Sequence, residues 1–592
     1  MSENVFTIKR NLPLLAVPFL TAATFLMLYI FRTVDNNRLT SWKWAFANVD
    51  MVFFGPVLIL GIFLAYLLSL IEFDRDRPAG VLFLASFMIS TLFWNIPEVI
   101  IDTARYFSYA KEIERYGVGH FLFEWGRGIS PWTDMPLLPL LYGLLFQVFG
   151  ETRIVIQIFT TFLFSCTVLM TCLIGKELWN EEMGFYAGAL LLGIPYLYSQ
   201  IPLMLVDVPT MFFLTLSVYT FIKAMEKGRA WLPLSALSIF MAVFAKYSTW
   251  LMLSVLAVIF FICLIQNTSD TSPPSGKGGT GGCESVSRSS LFTRGILLTL
   301  ILAVCAGFVV YFKYDVIAGQ IRFLQEYQKP GLKRWTESFI STFFYQTHPF
   351  ITVAAICSII AAVIKRDLKF LIISWMLILI VVFQIKRSRY ALIVFPMLTL
   401  MASYGLDMIK TAQVKRYILA CVVIPSVIVA LFAYKPLLMN MSLGNLKAAG
   451  SYLQSLEGDE IEVITVQPED PTVNIASTVP VLDLFTDKKI IYSYDGSNTP
   501  PLEDIKESPL RFTWGYKNPP YYAPDASVQE AGRTIVLIGN EPLKELSAEI
   551  QNRLMNLSSA KVFNRSTGLF RFNPVVAIYL PENRSGMTYK NR

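Results

Sequence analysis

Charged side chains are scarce in this chain of 592 residues. Only 16% of the residues are Asp, Glu, Lys or Arg, 54% are hydrophobic, and the mean hydropathy is +0.51. A soluble globular protein has about 25% charged residues and lacks repeated long apolar runs. The composition therefore excludes a soluble globular protein and predicts a polytopic α-helical membrane protein.

Cysteine is absent from the polar C-terminal part of the chain. The seven cysteines all precede Lys435, and all but Cys283 occur in apolar segments. This distribution excludes a disulfide framework or a metal-thiolate site in the C-terminal part. The net charge of +7 does not indicate nucleic-acid binding, because basic residues of membrane proteins are first a signal of topology.

Apolar runs long enough to span a bilayer, about 20 residues each, recur through most of the chain. The first, Leu14–Phe31, is too long for a cleaved signal peptide and is predicted to remain as an anchor. About thirteen membrane helices are predicted, near residues 13–32, 51–71, 80–97, 154–174, 184–204, 208–224, 231–246, 248–266, 294–312, 349–364, 369–385, 390–406 and 417–434.

Changes in composition divide the chain into three predicted parts. Residues 1–79 hold two extra membrane helices, and residues 80–435 hold the main membrane domain. Residues 436–592 are polar, with strand-like runs and one helix-like run, and predict a soluble α/β domain. A Ser-, Gly- and Pro-rich stretch within residues 267–292 predicts a flexible cytoplasmic linker.

Short basic connections between the apolar runs predict the orientation. The positive-inside rule places these connections in the cytoplasm, and with them the N-terminus. The number of membrane crossings agrees with this orientation if residues 135–149 lie on the outer surface without crossing. The loop at Asp102 and the C-terminal domain are then extracytoplasmic. The basic connections are 9–10, 74–77, 223–229, 365–369 and 410–416.

Asp102 begins a charged segment between an apolar helix and a Trp- and Pro-rich loop. Tyr106, Tyr109 and Ile113 follow at helical spacing, which predicts an interfacial helix whose first residue faces a site. A carboxylate and an arginine at a membrane surface are costly unless they have a function. A helix N-cap is the alternative role for Asp102, and the two roles are compatible. The cluster indicates an enzyme rather than a channel or scaffold.

The remaining unusual polar groups also fall on the predicted outer face, against the positive-inside bias. Arg and Lys make charge-assisted contacts to phosphate oxygens, and phosphate binding would explain the basic segment Lys386–Arg389 between two apolar helices. Non-specific contact with lipid headgroups is the alternative. The candidate site residues are Asp102, Arg105, Tyr106, Asp134, Asp207, Lys246, Tyr247, His348, Lys386, Arg387, Arg389 and Tyr390.

Structural roles are open for several of these candidates. Asp207 opens a helix and could be its N-cap. Lys246 ends an apolar helix and could extend its ammonium group to the membrane surface. His348 precedes Pro349 at a helix start, and Asp134 could belong to a structural turn.

Several short motifs, taken in their order along the chain, resemble one family. That family comprises the dolichyl-phosphate-mannose protein mannosyltransferases and the lipid A aminoarabinose transferases, which are glycosyltransferase family 39-like enzymes of the glycosyltransferase C fold. The resemblance covers roughly residues 80–410. The motifs are Asp102-Thr103-Ala104-Arg105-Tyr106, Met135-Pro136-Leu137, Phe149-Gly150-Glu151, Val206-Asp207-Val208-Pro209, Lys246-Tyr247-Ser248 and Arg389-Tyr390.

The resemblance implies transfer of a sugar from a polyprenyl- or dolichyl-phosphate donor to a protein, lipid or glycan acceptor on the extracytoplasmic face. In the family, the acidic residue of the first outer loop is the catalytic carboxylate, a role that carries over to Asp102. The acidic residue of the second outer loop carries over to Asp207, which would help to place the substrates. The family commonly has Asp-Glu where this chain has Asp102-Thr103, and one helix rather than three before the catalytic loop.

The residue chemistry agrees with such a transfer. A carboxylate base would take a proton from the acceptor hydroxyl as it attacks the anomeric carbon, in one displacement that inverts this centre. The leaving lipid phosphate needs positive charge, for which Lys246, Lys386, Arg387 and Arg389 are candidates. The sequence requires no cofactor. A divalent metal ion could assist the phosphate, but no ligand spacing demands one.

Other functions fit less well. A transporter or flippase for a lipid-linked sugar should place ionisable groups near the bilayer midplane and show internal repeats, neither of which is evident. An oligosaccharide transferase should carry a Trp-Trp-Asp-Tyr-Gly type motif, of which Trp514-Gly515-Tyr516 is only a partial match. A non-catalytic surface protein leaves the outer basic clusters unexplained. The expected partners are the donor, the acceptor and membrane lipids, without nucleic acid, in an archaeal or bacterial plasma membrane.

Overall fold

The structure is a computed structural model in which a helical part is followed by a small mixed domain. It describes residues 2–71, 78–129, 131, 135–269, 287–328, 336–467, 473–493, 510–523, 533–540, 546–570 and 572–581. Asp134 and most of the predicted linker, residues 267–292, lie outside the described residues.

The helical part runs from the N-terminus to residue 439. Up to residue 429, its α-helices are α1 Ser2–Ile30, α2 Trp42–Ala45, α3 Met51–Ser69, α4 Pro78–Thr91, α5 Asp102–Glu124, α6 Leu137–Phe149, α7 Arg153–Leu178, α8 Glu181–Leu191, α9 Pro195–Gln200, α10 Asp207–Lys227, α11 Trp231–Ala245, α12 Ser248–Met252, α13 Val255–Ser269, α14 Arg288–Phe323, α15 Pro349–Lys365, α16 Phe370–Val382, α17 Ser388–Ala391, α18 Phe395–Leu406 and α19 Ala412–Val429.

Among the described residues, eight helical segments are long and apolar enough to cross a membrane, and five further apolar helices have 10–17 residues. The prediction of a polytopic helical membrane protein is confirmed. The number of thirteen spans stays a prediction, because length and composition alone identify these helices. The eight long segments are Leu12–Ile30, Met51–Ser69, Arg153–Leu178, Asp207–Lys227, Ser248–Gln266, Arg288–Glu326, Ser388–Leu406 and Ala412–Met439.

One predicted span differs clearly from the structure. The apolar run at residues 184–204 is divided into α8 and α9. Pro195 begins α9 and has no N–H for a continuous helix. Gly193 sits in the break, where a Cβ would lie only 2.5 Å from Val422 Cγ1. A close approach to a neighbouring helix therefore interrupts this run. The predicted flexible linker, residues 267–292, also differs from the structure at its C-terminal end, because α14 begins at Arg288.

The centre of the helical part is formed by α7, α8, α10 and α18, whose side chains are mostly buried. Within an apolar stretch of 18 residues, 83% of the residues are buried in α10 and 89% in the segment that contains α18, against 6% in the segment that contains α14. Helices α7 and α8 can approach closely because glycine stands at both Gly175 and Gly184. A Cβ on Gly175 would lie only 2.6 Å from Gly184 Cα. Helices such as α14 instead expose apolar side chains, as lipid-facing helices do.

The C-terminal part is a separate layer of helices and a five-stranded sheet in the order β2-β1-β3-β5-β4. β1 is parallel to β2 and β3, whereas β5 is antiparallel to β3 and β4. The predicted soluble α/β domain is thereby confirmed as an α/β fold. Helix α20, Lys435–Met439, still belongs to the last long apolar segment of the helical part. The elements of the C-terminal part are α21 Gly444–Gln454, β1 Glu460–Thr465, α22 Val479–Asp483, β2 Lys489–Tyr492, β3 Thr534–Asn540, α23 Ala548–Leu554, β4 Leu557–Phe563 and β5 Pro574–Pro581.

An ion cluster joins the C-terminal domain to the helical part. The ammonium group of Lys111 on α5 lies 2.8 Å from Asp483 Oδ2 and 2.7 Å from Glu151 Oε2. The Tyr522 hydroxyl donates to the same Asp483 oxygen at 2.6 Å. Asp483 and Lys111 are both buried, so the C-terminal domain is packed directly against α5.

Candidate functional site

The two carboxylates predicted from the sequence each stand at the start of a helix. Asp102 is the first residue of α5 and Asp207 the first residue of α10. The N-cap residues are Ile101 and Val206, so neither carboxylate is the capping residue of its helix. A carboxylate in the first turn is nevertheless favoured by the partial positive charge of the helix N-terminus.

Arg389 joins these two carboxylates. Its Nη1 lies 2.5 Å from Asp102 Oδ2 and its Nε 2.7 Å from Asp207 Oδ2. The Lys246 ammonium group lies 2.5 Å from the other oxygen of Asp207. Two carboxylates and two cations from four separate segments thus form one network, which we call the Asp102 network.

Exposure differs along the Asp102 network. The Asp207 side chain is 1% exposed and those of Arg389 and Lys246 are 8% exposed, whereas that of Asp102 is 16% exposed. Lys246 therefore pairs inside the protein rather than extending to the membrane surface. Asp102 is the member of the network that an incoming molecule can reach most easily.

The electrostatics around Asp102 favour its charged form. Burial raises the pKa of the Asp102 carboxyl, but the charges of Arg389, Arg105 and Arg387 outweigh burial and hold the pKa below its ordinary value. The carboxylate is therefore ionised at neutral pH. It is also a weak proton acceptor while these cations remain beside it.

Aromatic rings border the cations of the site. The Tyr390 ring centroid lies 5.4 Å from Lys246 Nζ and 5.1 Å from the Arg387 guanidinium carbon. The Arg105 guanidinium carbon lies 5.5 Å from the centroid of the buried Tyr106 ring. The structure thus brings Arg105, Tyr106, Arg387 and Tyr390 close to the Asp102 network, and their predicted role in substrate binding stays a prediction.

The basic segment Lys386–Arg389 is anchored by a carboxylate that the sequence reading did not single out. Glu337 Oε2 accepts from the Ser388 backbone N–H at 2.8 Å, and its Oε1 lies 3.9 Å from Arg387 Nε. Lys386 and Arg387 remain half-buried, whereas Arg389 is buried. Lys386 and Arg387 are therefore the cations of this segment that a ligand can reach.

Three other predicted residues are not members of the Asp102 network. His348 is the N-cap of α15, where its Nδ1 accepts from the Phe350 N–H at 3.1 Å, and its ring packs at 5.7 Å against Phe25. Tyr247 follows Lys246 and precedes α12. Asp134 lies outside the described residues. A substrate-binding role for these three residues stays a prediction.

A second network is centred on Glu98, four residues before Asp102 in the segment that leads into α5. Glu98 is fully buried, and its carboxylate accepts from the Thr103 hydroxyl at 2.8 Å, Arg153 Nε at 3.0 Å and the Met204 N–H at 3.2 Å. Thr103, the residue after Asp102, is thereby tied to Glu98. We call these residues the Glu98 network.

The loop that follows the first membrane helix also reaches the site. In the loop between α1 and α2, Asn37 Nδ2 donates to Ser388 Oγ at 3.1 Å. Burial and the neighbouring charge of Arg387 lower the pKa of Arg38 in the same loop. The sequence carried no signal for this contact, because it joins positions more than 300 residues apart.

Among the described residues, no group of three or more His, Cys, Asp or Glu side chains could hold a metal ion. The oxygens of Asp207 both face cations, and one oxygen of Asp102 does so too. A divalent ion at Asp207 would have to displace Arg389 or Lys246.

Comparison with solved structures finds distantly similar chains. ArnT from Cupriavidus metallidurans bound to undecaprenyl phosphate is 12% identical, with a TM-score of 0.49, 85% of this chain and 98% of that chain being covered. Archaeal oligosaccharyltransferase AglB from Archaeoglobus fulgidus, in complex with an inhibitory peptide and a dolichol-phosphate, is 12% identical with a TM-score of 0.45, and 79% and 70% of the two chains are covered. At this identity and TM-score the likeness carries no information on the chemistry of the site.

Comparison by sequence is more restricted. No curated protein matches the chain. Residues 131–272 match the family model described as dolichyl-phosphate-mannose-protein mannosyltransferase. This segment includes Asp207 and Lys246 but neither Asp102 nor Arg389. The match confirms, over about a quarter of the chain, the resemblance to dolichyl-phosphate-mannose protein mannosyltransferases that the motifs predict.

Proposed function

We propose that the protein is an integral-membrane glycosyltransferase that moves a sugar from a polyprenyl- or dolichyl-phosphate donor to an acceptor hydroxyl. The observation that carries this proposal is the Asp102 network, in which a partly exposed carboxylate stands beside the basic segment Lys386–Arg389. The family match of residues 131–272 supports the class of donor.

Asp102 is the general base in this proposal. It takes the proton of the acceptor hydroxyl as the oxygen attacks the anomeric carbon, and the bond to the lipid phosphate breaks in the same displacement. The anomeric centre is inverted, so no second carboxylate has to act as nucleophile. Asp207 is a positioning residue, because it is buried and holds Arg389 and Lys246.

Arg387 and Lys386 bind the donor phosphate. Both are half-buried and cationic, and Arg387 offers the planar donor geometry that suits phosphate oxygens. Arg389 is already engaged by two carboxylates in the resting protein. Its first role is therefore to orient Asp102. Arg389 contacts the phosphate only if it first releases one of the two carboxylates.

Donor binding also activates the base. In the resting protein the cations around Asp102 hold its pKa low, which makes it a poor proton acceptor. A phosphate bound at Arg387 brings negative charge that offsets these cations and raises the pKa of Asp102. The base thus becomes effective when the donor is in place, which limits wasteful reactions of the empty enzyme.

The same proposal includes the orientation argued from the basic connections. The N-terminus is cytoplasmic, and the Asp102 network and the C-terminal domain face the outside of an archaeal or bacterial plasma membrane. The reaction as written proceeds through the side chains named above and needs no step at a metal ion.

The test is turnover of purified full-length protein in lipid nanodiscs with polyprenyl-phosphate sugars of several kinds. We expect release of the sugar by the wild type, and a rate about 10²–10⁴-fold lower for Asp102→Asn, the range that general bases contribute. Asp50→Asn is the matched control, because Asp50 also stands at the start of a membrane helix but is exposed and caps α3.

Two outcomes would contradict the proposal. They are equal turnover by the Asp102→Asn variant, and no turnover by the wild type with any donor. Movement of a labelled lipid-linked sugar across vesicles without its release would favour the transporter instead.

A further inference from the structure

A cavity of about 290 Å³ lies between α5 and the C-terminal domain. One wall is the face of α5 that begins beside Asp102, including Ala104, Arg105 and Ser108. The opposite wall is the segment 513–520 of the C-terminal domain. The cavity therefore exists only because the two parts of the chain are packed together, and its volume is at the lower end of the range of ligand pockets.

The charges that line the cavity cancel. Arg105 and Lys517 are cations, and Glu112 and Glu124 are carboxylates. The hydroxyl-bearing residues Ser108, Ser477 and Thr513 also line the cavity. Tyr109 and Tyr516 add two aromatic rings.

The carboxylates are held in place by the protein. Glu124 Oε2 accepts from the Gly128 N–H at 3.1 Å, and Glu112 Oε1 lies 3.9 Å from His120 Nε2. Lys517 Nζ reaches the Gly128 carbonyl at 3.4 Å, so the two walls touch beside the cavity. Polar groups fixed before a ligand arrives are what a specific site requires.

This combination selects the class of ligand. An anionic lipid headgroup would meet two carboxylates, and a basic peptide would meet two cations, so neither sign of charge is favoured. Neutral hydroxyl groups can donate to Glu112 and Glu124 and accept from Arg105 and Lys517 at the same time. Aromatic rings such as Tyr109 and Tyr516 offer flat apolar surfaces to the C–H faces of a sugar ring. A neutral saccharide satisfies all of these groups.

The cavity is connected to the proposed base. Ile101 and Arg105, which flank Asp102 on α5, both line it. Arg105 also contributes to the lowered pKa of Asp102, so one side chain serves both places. Asp102 itself does not line the cavity, so an acceptor held there has to extend past Arg105 to bring its reacting hydroxyl to the carboxylate.

We propose that this cavity is a saccharide-binding site that holds the acceptor, so that the acceptor of the reaction is a glycan or glycolipid sugar. The proposal rests on the proposed glycosyltransferase function and specifies its acceptor. It gives the C-terminal domain a direct role, since that domain forms half of the site.

Binding is tested first, without any donor. Full-length protein in nanodiscs is titrated with methyl glycosides of mannose, glucose, galactose and N-acetylglucosamine, and with a neutral disaccharide, by saturation-transfer NMR. We expect saturable binding of at least one of these probes, weakened about tenfold or more in Glu112→Gln and in Tyr516→Ala. A lysine-rich peptide and inorganic phosphate are the opposing probes.

Transfer is tested second, with a variant that fills the cavity. Ser108 is half-buried on the cavity wall, and Ser108→Phe should block the site while leaving the Asp102 network intact. We expect hydrolysis of the donor to persist and transfer to the bound saccharide to fall at least tenfold. Ser559→Phe on the exposed face of β4 is the matched control. A thermal unfolding midpoint equal to that of the wild type shows that each variant is folded.

The outcomes separate this proposal from the proposed function. Absence of donor turnover by the wild type would overturn the glycosyltransferase function, and with it the acceptor role. Three outcomes would overturn the cavity proposal alone, provided that the wild type turns over the donor. The first is no saccharide binding, and the second is binding of only the peptide or phosphate. The third is unchanged binding and transfer in Glu112→Gln, Tyr516→Ala and Ser108→Phe.

Discussion

Two charge networks meet at the start of α5, and they differ in how completely they are closed. In the Glu98 network, a fully buried carboxylate accepts from a guanidinium, a hydroxyl and a backbone N–H. Arg153 in turn donates to the Ile96 carbonyl at 2.6 Å. In the Asp102 network, the outermost carboxylate keeps 16% of its side chain exposed. The network that remains open is the one to which we assign the proposed function.

The difference follows from what buried charges require. A buried ion pair gains little net stability, but removing one partner leaves a charge without compensation and is strongly destabilising. The Glu98 network links four segments and has no accessible oxygen, so its role is to fix the backbone around the site. The Asp102 network also pairs carboxylates with cations, but Asp102 itself is partly exposed, so a ligand beside it can change the balance of charge.

The largest expected effect comes from making the same substitution in each network. Arg389→Gln removes the group that orients Asp102, and we expect sugar transfer to fall by about 10²–10³-fold, as for loss of a fixed electrostatic group in an active site. Arg153→Gln should leave the rate per folded molecule within a few-fold of the wild type. Turnover of both variants, normalised to folded protein, checks the comparison, and equal losses would remove the distinction.

The second effect reverses the order of the two variants. Arg153→Gln leaves fully buried Glu98 without its cation, and we expect about 3–5 kcal/mol lower stability. Arg389→Gln should destabilise less, because Asp207 keeps Lys246 and Asp102 can reach water. Thermal unfolding in detergent measures both. A smaller loss for Arg153→Gln than for Arg389→Gln would show that the Glu98 network is not structural.

The contrast between the networks also explains what the sequence could predict. Asp102, Asp207, Lys246 and Arg389 stand at the ends of apolar runs, where a charge is conspicuous. The helical membrane part and the C-terminal α/β domain follow from composition and periodicity in the same way. Such signals are local, and the structure brings the local signals together in one place.

Other features could not be predicted, because they depend on contacts between distant segments. Glu98 follows a proline in an unremarkable stretch, and only the fold places it against Arg153. Glu337 and Asn37 reach the basic segment from separate parts of the chain. The break at Gly193 depends on a neighbouring helix that no local pattern reveals.

A third and smaller effect concerns the contact between α5 and the C-terminal domain. Lys111→Met removes the cation between Asp483 and Glu151, although Asp483 keeps the Tyr522 hydroxyl. We expect stability to fall by about 1–3 kcal/mol. A double-mutant cycle with Asp483→Asn should give a coupling energy of about 0.5–3 kcal/mol. Lys111→Arg, which keeps the charge, is the control, and additive effects of Lys111→Met and Asp483→Asn would mean that the pair does not join the domains.

The smallest effect is a difference between two pH profiles of the wild type. The base must be ionised, so activity falls as the pH drops through the pKa of Asp102. The profile of kcat/KM reports the free enzyme, in which neighbouring cations hold this pKa below its ordinary value of 3.8. The profile of kcat reports the complex with the donor, whose phosphate raises the pKa. We therefore expect the acidic limb of kcat at higher pH than that of kcat/KM.

Arg105 supplies the control for this difference, because its charge also lowers the pKa of Asp102. Arg105→Gln should move the acidic limb of kcat/KM to higher pH, since one of the cations that lower the pKa of Asp102 is gone. Lys365→Gln, which removes a half-exposed cation paired with Asp407, should leave both limbs unchanged. Coinciding limbs in the wild type would mean that the donor phosphate does not alter Asp102, and the open network would then serve only to hold the carboxylate in place.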